Sequence, residues 1–301
     1  MAETLGFIGL GNMGEPIALN LRAAGYGLRV YNRTPSKLIP LVAKGALAAK
    51  TAAEVASPGG IVLTMLADDR AVEELCLGPG SFVEKLGVGG VHISLSTIGP
   101  VTARRLSAHH AKYKVEYLAS PVFGRPEAAA GKKLWVCTSG PVGAGKRAAP
   151  IFEAIGQGVL HFGEDPGAAN VVKLCGNFLI ASTIEALAEL MVFAEKNGVS
   201  KSAVADMIGK FSPLHAGYAK LIAEQKFQPA GFRLSLGLKD INLVLETAAD
   251  SLTPMPMAGL LHDRWLSAVA KGRGELDWSG VALGVEEEAG LKPGLRTEVA
   301  G

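Results

Sequence analysis

Hydrophobic and polar positions follow two different rhythms along the chain. In the first half, short and largely apolar runs at residues 5–9, 28–31, 61–66, 91–95, 115–119, 134–138 and 158–162 read as strands. Helical stretches at 16–24, 69–77 and 144–155 separate several of them. Unbroken apolar strands are the mark of a sheet covered on both faces, and their alternation with helices predicts a doubly wound parallel sheet. From residue 165 onward only helical spacing is found, over 165–198, 201–210, 217–225, 234–249 and 257–270. The expected organisation is an α/β domain over 1–164 and an all-α domain over 165–301, without internal repeats. Residues 284–301, acidic and then Gly/Pro-containing, read as a loosely held tail.

The helix over 165–198 is the longest feature. Asp165 is placed to cap it, Pro166 suits the first helical position, and Asn197-Gly198 can close the last turn in a left-handed conformation. At ~1.5 Å per residue it is roughly 45 Å long. Val171, Val172, Leu174, Phe178, Leu179, Ile180, Ile184, Leu187, Leu190, Met191, Val192 and Phe193 leave no wide polar face until late, so the helix is expected to be buried on most sides. Asn170, Lys173 and Asn177 nevertheless share one face. A buried ammonium is costly unless partnered, which makes Lys173 a candidate for chemistry. Cys175, nearby in sequence, is expected to serve packing.

Length and composition narrow the function. The 301 residues suit about two domains, and 30 basic against 28 acidic side chains give a net charge of +2 with no basic stripe for nucleic acid. The first residues lack the basic region and apolar core of a signal peptide. The most apolar segment, 178–193, is interrupted by Ser182, Thr183, Glu185 and Glu189, so no membrane span is expected. Cys76, Cys137 and Cys175 show no CxxC spacing, which points to a reduced, cytoplasmic setting. His92, His109, His110, His161, His215 and His262 are scattered and fit neither a metal site nor a triad. An all-α domain this apolar is expected to bury a face in a homodimer or homotetramer.

The first strand runs into Gly9-Leu10-Gly11-Asn12-Met13-Gly14 and then a helix. Glycines here allow a tight turn and close approach to a pyrophosphate, and the helix offers its N-terminal end to the anion. GxGxxG alone is a weak signal, but strand, turn and helix are in the required order. At the end of the second strand an NAD site has an acid for the ribose; this chain has Asn32-Arg33-Thr34. Arg33 can stack on the adenine and pair with a 2'-phosphate, with Asn32, Thr34 and Lys37 assisting, so NADP is favoured over NAD. The competing reading makes Arg33 a solvated loop residue. Ligands of such sheets lie beyond the carboxyl ends of strands, which brings Met65, Leu66, Ser96 and Thr97 to the cofactor. The loop 120–126, Ser-Pro-Val-Phe-Gly-Arg-Pro, suits a fixed binding turn.

Together these motifs resemble the β-hydroxyacid dehydrogenase family, relatives of 6-phosphogluconate dehydrogenase that include 3-hydroxyisobutyrate dehydrogenase and glyoxylate/succinic semialdehyde reductases. The resemblance covers nearly the whole chain and rests on residues 6–14, Ser96-Thr97-Ile98-Gly99-Pro100, Pro121-Val122-Phe123-Gly124, Lys173-x-x-x-Asn177 and Lys239-Asp240. It implies a Rossmann domain followed by an all-α domain with the active site in the cleft between them. It further implies that NADPH is the hydride source, Lys173 the general acid-base, Asn177 the group that orients the substrate oxygen, and Thr97 and Lys239 cofactor contacts. Asp240 would orient its neighbours rather than react. A desolvated lysine has a lowered pKa, which suits proton donation near neutral pH. For Lys239 an exposed helix-surface position remains open.

The chain also departs from the family pattern. Where most members have Asp-Ala-Pro-Val-Ser-Gly-Gly, it has Ala119-Ser120-Pro121-Val122-Phe123-Gly124-Arg125, so the serine that helps hold a substrate carboxylate is a phenyl ring. Either Arg125 supplies a charge-assisted bond to that carboxylate, or Arg125 lies on the surface and Phe123 makes the pocket more apolar. The expected activity is NADPH-dependent reduction of a small aldehyde or ketoacid, reversible as hydroxyacid oxidation. Ser96, Val122, Phe123, Gly124 and Arg125 are expected at the substrate. An imine reductase is the rival enzyme, against which Lys173 argues, and a non-catalytic NADP-binding module is the rival of another class.

Overall fold

The computed structural model describes residues 3–291. The chain forms two compact units, Met1–Lys173 and Leu174–Gly301. The first unit runs β1 (Thr4–Ile8), α1 (Gly14–Ala23), β2 (Gly27–Tyr31), α2 (Ile39–Ala43), β3 (Leu47–Ala48), β4 (Ile61–Thr64), α3 (Asp69–Cys76) and α4 (Phe82–Leu86). It continues through β5 (Val91–Ser94), α5 (Pro100–Lys112), β6 (Glu116–Ala119), β7 (Val122–Phe123), α6 (Pro126–Ala130), β8 (Leu134–Thr138), α7 (Val142–Ile155) and β9 (Gly156–His161) to the start of α8 (Ala168–Lys196).

Six strands form one sheet in the order β3-β2-β1-β4-β5-β6, with every pairing parallel. The order reverses between β1 and β4, and there the ends of neighbouring strands diverge and leave room for a ligand. Helices cover both faces because alternate side chains of the same strands point each way. Phe7 and Leu63 pack with Ile17 and Leu21 of α1, whereas Ile8 and Val62 pack with Ala103 and Leu106 of α5.

The expected single sheet stops at β6. Strands β7, β8 and β9 make a separate three-stranded sheet in which β7 is antiparallel to β8. Residues 122–123, expected as loop, are therefore strand, with Val122 opposite Val136 and Phe123 opposite Trp135. Pro121 explains the break: it has no N–H to extend the β6 ladder, while its carbonyl accepts from Cys137 N at 2.9 Å and turns the chain onto β8.

The second unit holds most of α8 with α9 (Lys201–Phe211), α10 (Pro213–Ala223), α11 (Leu234–Asp250), α12 (Pro256–Ala270) and α13 (Ala282–Glu288). Its core is built from Ile184, Leu187, Met191, Ile222, Phe227, Leu261, Trp265 and Trp278. The expected tail is in part corrected: residues 284–288 belong to α13, where Val285 and Glu286 are buried. Residues 292–301 lie outside the described residues.

Helix α8 begins where Asp165 Oδ1 accepts from Gly167 N and Ser139 Oγ accepts from Ala169 N at 3.0 Å. It ends at Gly198, whose φ of 82° is the left-handed closure expected. Because Ala169 and Val172 pack into the core of the first unit, residues 165–173 go with that unit. Of the twelve apolar residues expected to be buried, all but Leu179 and Phe193 are buried or half-buried. Cys175, Leu179, Ala186 and Phe193 are exposed along one stripe, Leu179 at 63% and Phe193 at 71%, so Cys175 is not a packing residue. By length and composition α8 also passes as a membrane span, contrary to the reading of its interruptions, yet Ala181, Ile184, Ala188 and Met191 are spent in the core of the second unit.

Candidate active site

At the β1–α1 turn the glycines divide by cause. Gly9 has φ 97°, and a Cβ on it would collide with Met65 O; a Cβ on Gly14 would collide with Gly9 O. Packing of the turn on itself accounts for both. Gly11 is exposed and a Cβ there would meet nothing within 4 Å, so packing within the chain does not require a glycine at this position. Helix α1 follows with no side-chain cap, leaving its N-terminal end available to an anion. Leu10 and Gly14 are buried, Asn12 is exposed and Met13 half-buried. This is the cradle a dinucleotide pyrophosphate fits.

The neighbouring strand ends are tied to that turn. Asn32 Oδ1 accepts from Leu10 N at 2.9 Å and its Nδ2 donates to Thr34 O at 3.0 Å, so Asn32 braces the turn. Arg33 and Thr34 are exposed at the end of β2, with no carboxylate among residues 32–34. Met65 N donates to Ile8 O, and Leu66 N donates to Ser96 Oγ at 2.8 Å. Ser96 is thus buried and spends an acceptor position on the β4 end, while Thr97 is half-buried beside it. Asp69, unforeseen as a contributor, accepts from Gly99 N at 2.9 Å and anchors the 96–100 motif.

Lys173 is 8% exposed, and its Nζ lies 4.1 Å from the centroid of the Phe123 ring. The sequence brings both residues forward, but not their contact. Val122 is buried behind the ring, Gly124 has φ 138°, and Arg125 precedes α6. Arg125 is half-buried with its Nη1 out of reach of solvent, which answers against a surface residue. Cys137, on β8, was missed; burial pushes its thiol up and the nearby Lys173 charge pulls it down less strongly.

One turn along α8 from Lys173, Asn177 is buried and its Nδ2 donates to Asp240 Oδ2 at 2.5 Å. Asp240, 2% exposed on α11, also pairs with Lys239 Nζ at 2.7 Å. A carboxylate only accepts, so it fixes the Asn177 amide with nitrogen toward Asp240 and Oδ1 turned away. Asp240 thus contacts both Asn177 and Lys239, and Lys239 is half-buried rather than a fully exposed lysine.

The histidines are not all scattered. His92 on β5 and His110 on α5 are buried and joined through Nδ1 and Nε2 at 2.9 Å, and with Cys76 they bring three ligand-type atoms within 4.8 Å. The ring nitrogens are occupied: His110 Nδ1 meets Leu106 O at 2.6 Å and His92 Nε2 meets Thr64 Oγ1 at 2.9 Å. Burial lowers the pKa of both, that of His110 to about 4.

Comparison with known proteins fits these features. Residues 4–163 match the NAD-binding domain of 6-phosphogluconate dehydrogenase, and residues 167–283 match the NAD-binding domain of NADP-dependent 3-hydroxyisobutyrate dehydrogenase. An uncharacterized oxidoreductase of Bacillus subtilis, YfjR, is 43% identical over 91% of this chain and 96% of its own. The NAD-dependent L-serine dehydrogenase of Pseudomonas aeruginosa is 32% identical over 93% of this chain and 96% of its own. Among solved structures, Mycobacterium tuberculosis 3-hydroxyisobutyrate dehydrogenase with L-serine has a TM-score of 0.84 at 27% identity, covering 95% of this chain and 99% of that one. With a nicotinamide-dinucleotide fold in its first unit and these motifs in order, the chain belongs to the β-hydroxyacid dehydrogenase family of oxidoreductases.

Proposed function

We propose that the protein is an NADPH-dependent reductase of small aldehydes or ketoacids, reversible as a hydroxyacid dehydrogenase, with Lys173 as its general acid-base. The observation that carries this is Lys173 itself, an ammonium 8% exposed on an otherwise apolar stretch, one helical turn from a buried amide held by Asp240. Gly9, Leu10, Gly11, Asn12, Met13 and Gly14 would hold the dinucleotide, Thr97 and Lys239 adding contacts, and the bound cofactor supplies the hydride. Lys173 Nζ donates a proton to the substrate oxygen in reduction and takes it back in oxidation. With one Nδ2 hydrogen committed to Asp240, Asn177 has its second Nδ2 hydrogen to donate to the substrate oxygen, which it holds beside Lys173 in either direction of the reaction. Ser96, Val122, Phe123, Gly124 and Arg125 form the substrate wall. Arg33 favours NADPH because the end of β2 offers a cation and no carboxylate. The exposed stripe through Leu179 and Phe193 supports assembly as a homo-oligomer.

The test is NADPH oxidation with glyoxylate, succinic semialdehyde, tartronate semialdehyde, neutral aldehydes and cyclic imines, run on wild type and Lys173→Ala. Reduction of aldehydes or ketoacids is expected, with turnover in the variant lower by about 10²- to 10⁴-fold and the NADPH dissociation constant near normal. Unchanged turnover in Lys173→Ala, or reduction of imines alone, overturns the reading.

A further inference from the structure

The Phe123 ring is held from several sides. It packs in the cluster that contains Cys137, Ala169 and Val172, and β7–β8 pairing sets Phe123 opposite Trp135. Gly124 closes the turn behind it, where a Cβ would come within 2.6 Å of the Leu134 side chain. A ring fixed in this way presents one face to Lys173 Nζ at 4.1 Å. The face of a phenyl ring carries partial negative charge, so it attracts an ammonium and gains nothing comparable from a neutral amine. Burial works in the opposite direction, penalising the charged form.

We infer that Phe123 is a positioning residue for the reaction: its ring face holds Lys173 in the ammonium form and in one place, so that the site stands loaded with the proton that reduction consumes. This rests on the reading of Lys173 as the acid. Cys137 on β8 has its thiol pushed up by burial and so is uncharged near neutral pH. Asn170 and Asn177, which share its side of α8, carry no charge. An ion pair would fix the proton more tightly; a ring face stabilises the ammonium while accepting no proton itself, leaving the proton for the substrate.

Phe123→Leu keeps an apolar side chain and removes the ring face; Phe123→Tyr and Phe123→Trp keep a face. The Lys173 ammonium is followed by NMR in enzyme labelled with 15N-lysine, with Lys173→Met to assign its signal, and the pH profile of reduction is recorded on the same proteins. In Phe123→Leu the Lys173 midpoint is expected to fall by about 0.4 to 1.5 pH units. The alkaline limb of the reduction profile moves down with it, and Tyr and Trp restore both. An unchanged midpoint in Phe123→Leu overturns the inference, as does a midpoint in Phe123→Trp that falls below wild type, a result independent of whether the Leu variant folds well. A midpoint that moves while the reduction profile stays fixed overturns Lys173 as the acid, and with it the catalytic use of the contact, while leaving the contact itself established.

Discussion

Two buried polar chains, one in each unit, differ in how they end. In the first unit Leu106 O can only accept, so His110 Nδ1 donates to it, His110 Nε2 accepts from His92 Nδ1, and His92 Nε2 accepts from Thr64 Oγ1. Every ring nitrogen has one partner and both rings are neutral, so the chain is closed. In the second unit Asp240 gathers Asn177 Nδ2 and Lys239 Nζ, and the order it imposes leaves Asn177 Oδ1 turned away from it. That chain carries charge and reaches α8 one helical turn from Lys173. A neutral, fully paired chain stabilises a fold; a charged one next to the lysine proposed as the acid-base orders groups for chemistry.

The largest expected effect belongs to the closed chain. His110 has its pKa lowered to about 4 from 6.5 by burial, so between those values the unfolded chain binds more protons than the folded one. Its contribution is complete above pH 6.5 and lost as pH falls toward 4, at a slope of about 1.4 kcal/mol per pH unit and a total of about 3 kcal/mol. His92, shifted in the same direction, adds to it. Glu185 opposes it: burial outweighs Arg264 and raises its pKa to about 7, so its contribution is lost as pH rises from 4.5 to 7. The readout is therefore a difference. Denaturation of wild type and His110→Phe across pH 4 to 7 should show wild-type stability rising more steeply with pH by about 1.4 kcal/mol per unit. Parallel curves would mean that the histidine chain is not closed as described.

Asp240→Asn tests the charged chain. Replacing an acceptor-only group with an amide releases Asn177 to turn over, and a misplaced orienting group costs on the order of 10²-fold in turnover. The far-ultraviolet spectrum should change little, and dinucleotide affinity should shift only as far as Lys239 depends on its ion partner. Normal turnover would place Asn177 outside the chemistry and erase the contrast between the two chains.

This distinction decides what was legible in the sequence. Lys173 and Asn177 were visible because a cation and an amide on an apolar helix stand out by spacing alone. Strands β1, β2, β4, β5 and β6 showed as short apolar runs and Gly9, Gly11 and Gly14 as backbone constraint, whereas the two-residue β3 and the order of the strands did not show. The contact of Phe123 with Lys173 was not legible, since it depends on an antiparallel pairing that starts at Pro121 and on where α8 begins. The pairing of His92 with His110 joins a strand to a helix, and no local period signals it. The exposed stripe through Leu179 and Phe193 reads as core in one dimension, because an apolar residue facing a core and one facing solvent look alike in the pattern.

At the cofactor turn the same contrast separates Asn32 from Arg33. Asn32 is closed, both ends of its amide being spent on Leu10 N and Thr34 O, whereas Arg33 is exposed. Arg33→Asp should raise the NADPH dissociation constant by about 10- to 100-fold relative to that of NADH, the range of a lost charge-assisted bond. Isothermal titration with both dinucleotides measures it. Equal weakening of the two would put Arg33 outside the 2'-phosphate position.

The smallest effect is the sharpest test of the criterion. Gly14 is enclosed by Gly9 O, so any side chain there damages the fold, whereas at Gly11 a Cβ meets nothing within 4 Å. Gly11→Ala should leave stability within about 0.5 kcal/mol of wild type, because nothing in the protein is displaced. Its dinucleotide affinity should fall by roughly tenfold, about 1.4 kcal/mol, since the methyl group occupies space that the pyrophosphate requires. Thermal melting with and without NADPH reads both quantities on one sample. An alanine that binds NADPH normally would show that the open space at Gly11 is not where the dinucleotide lies.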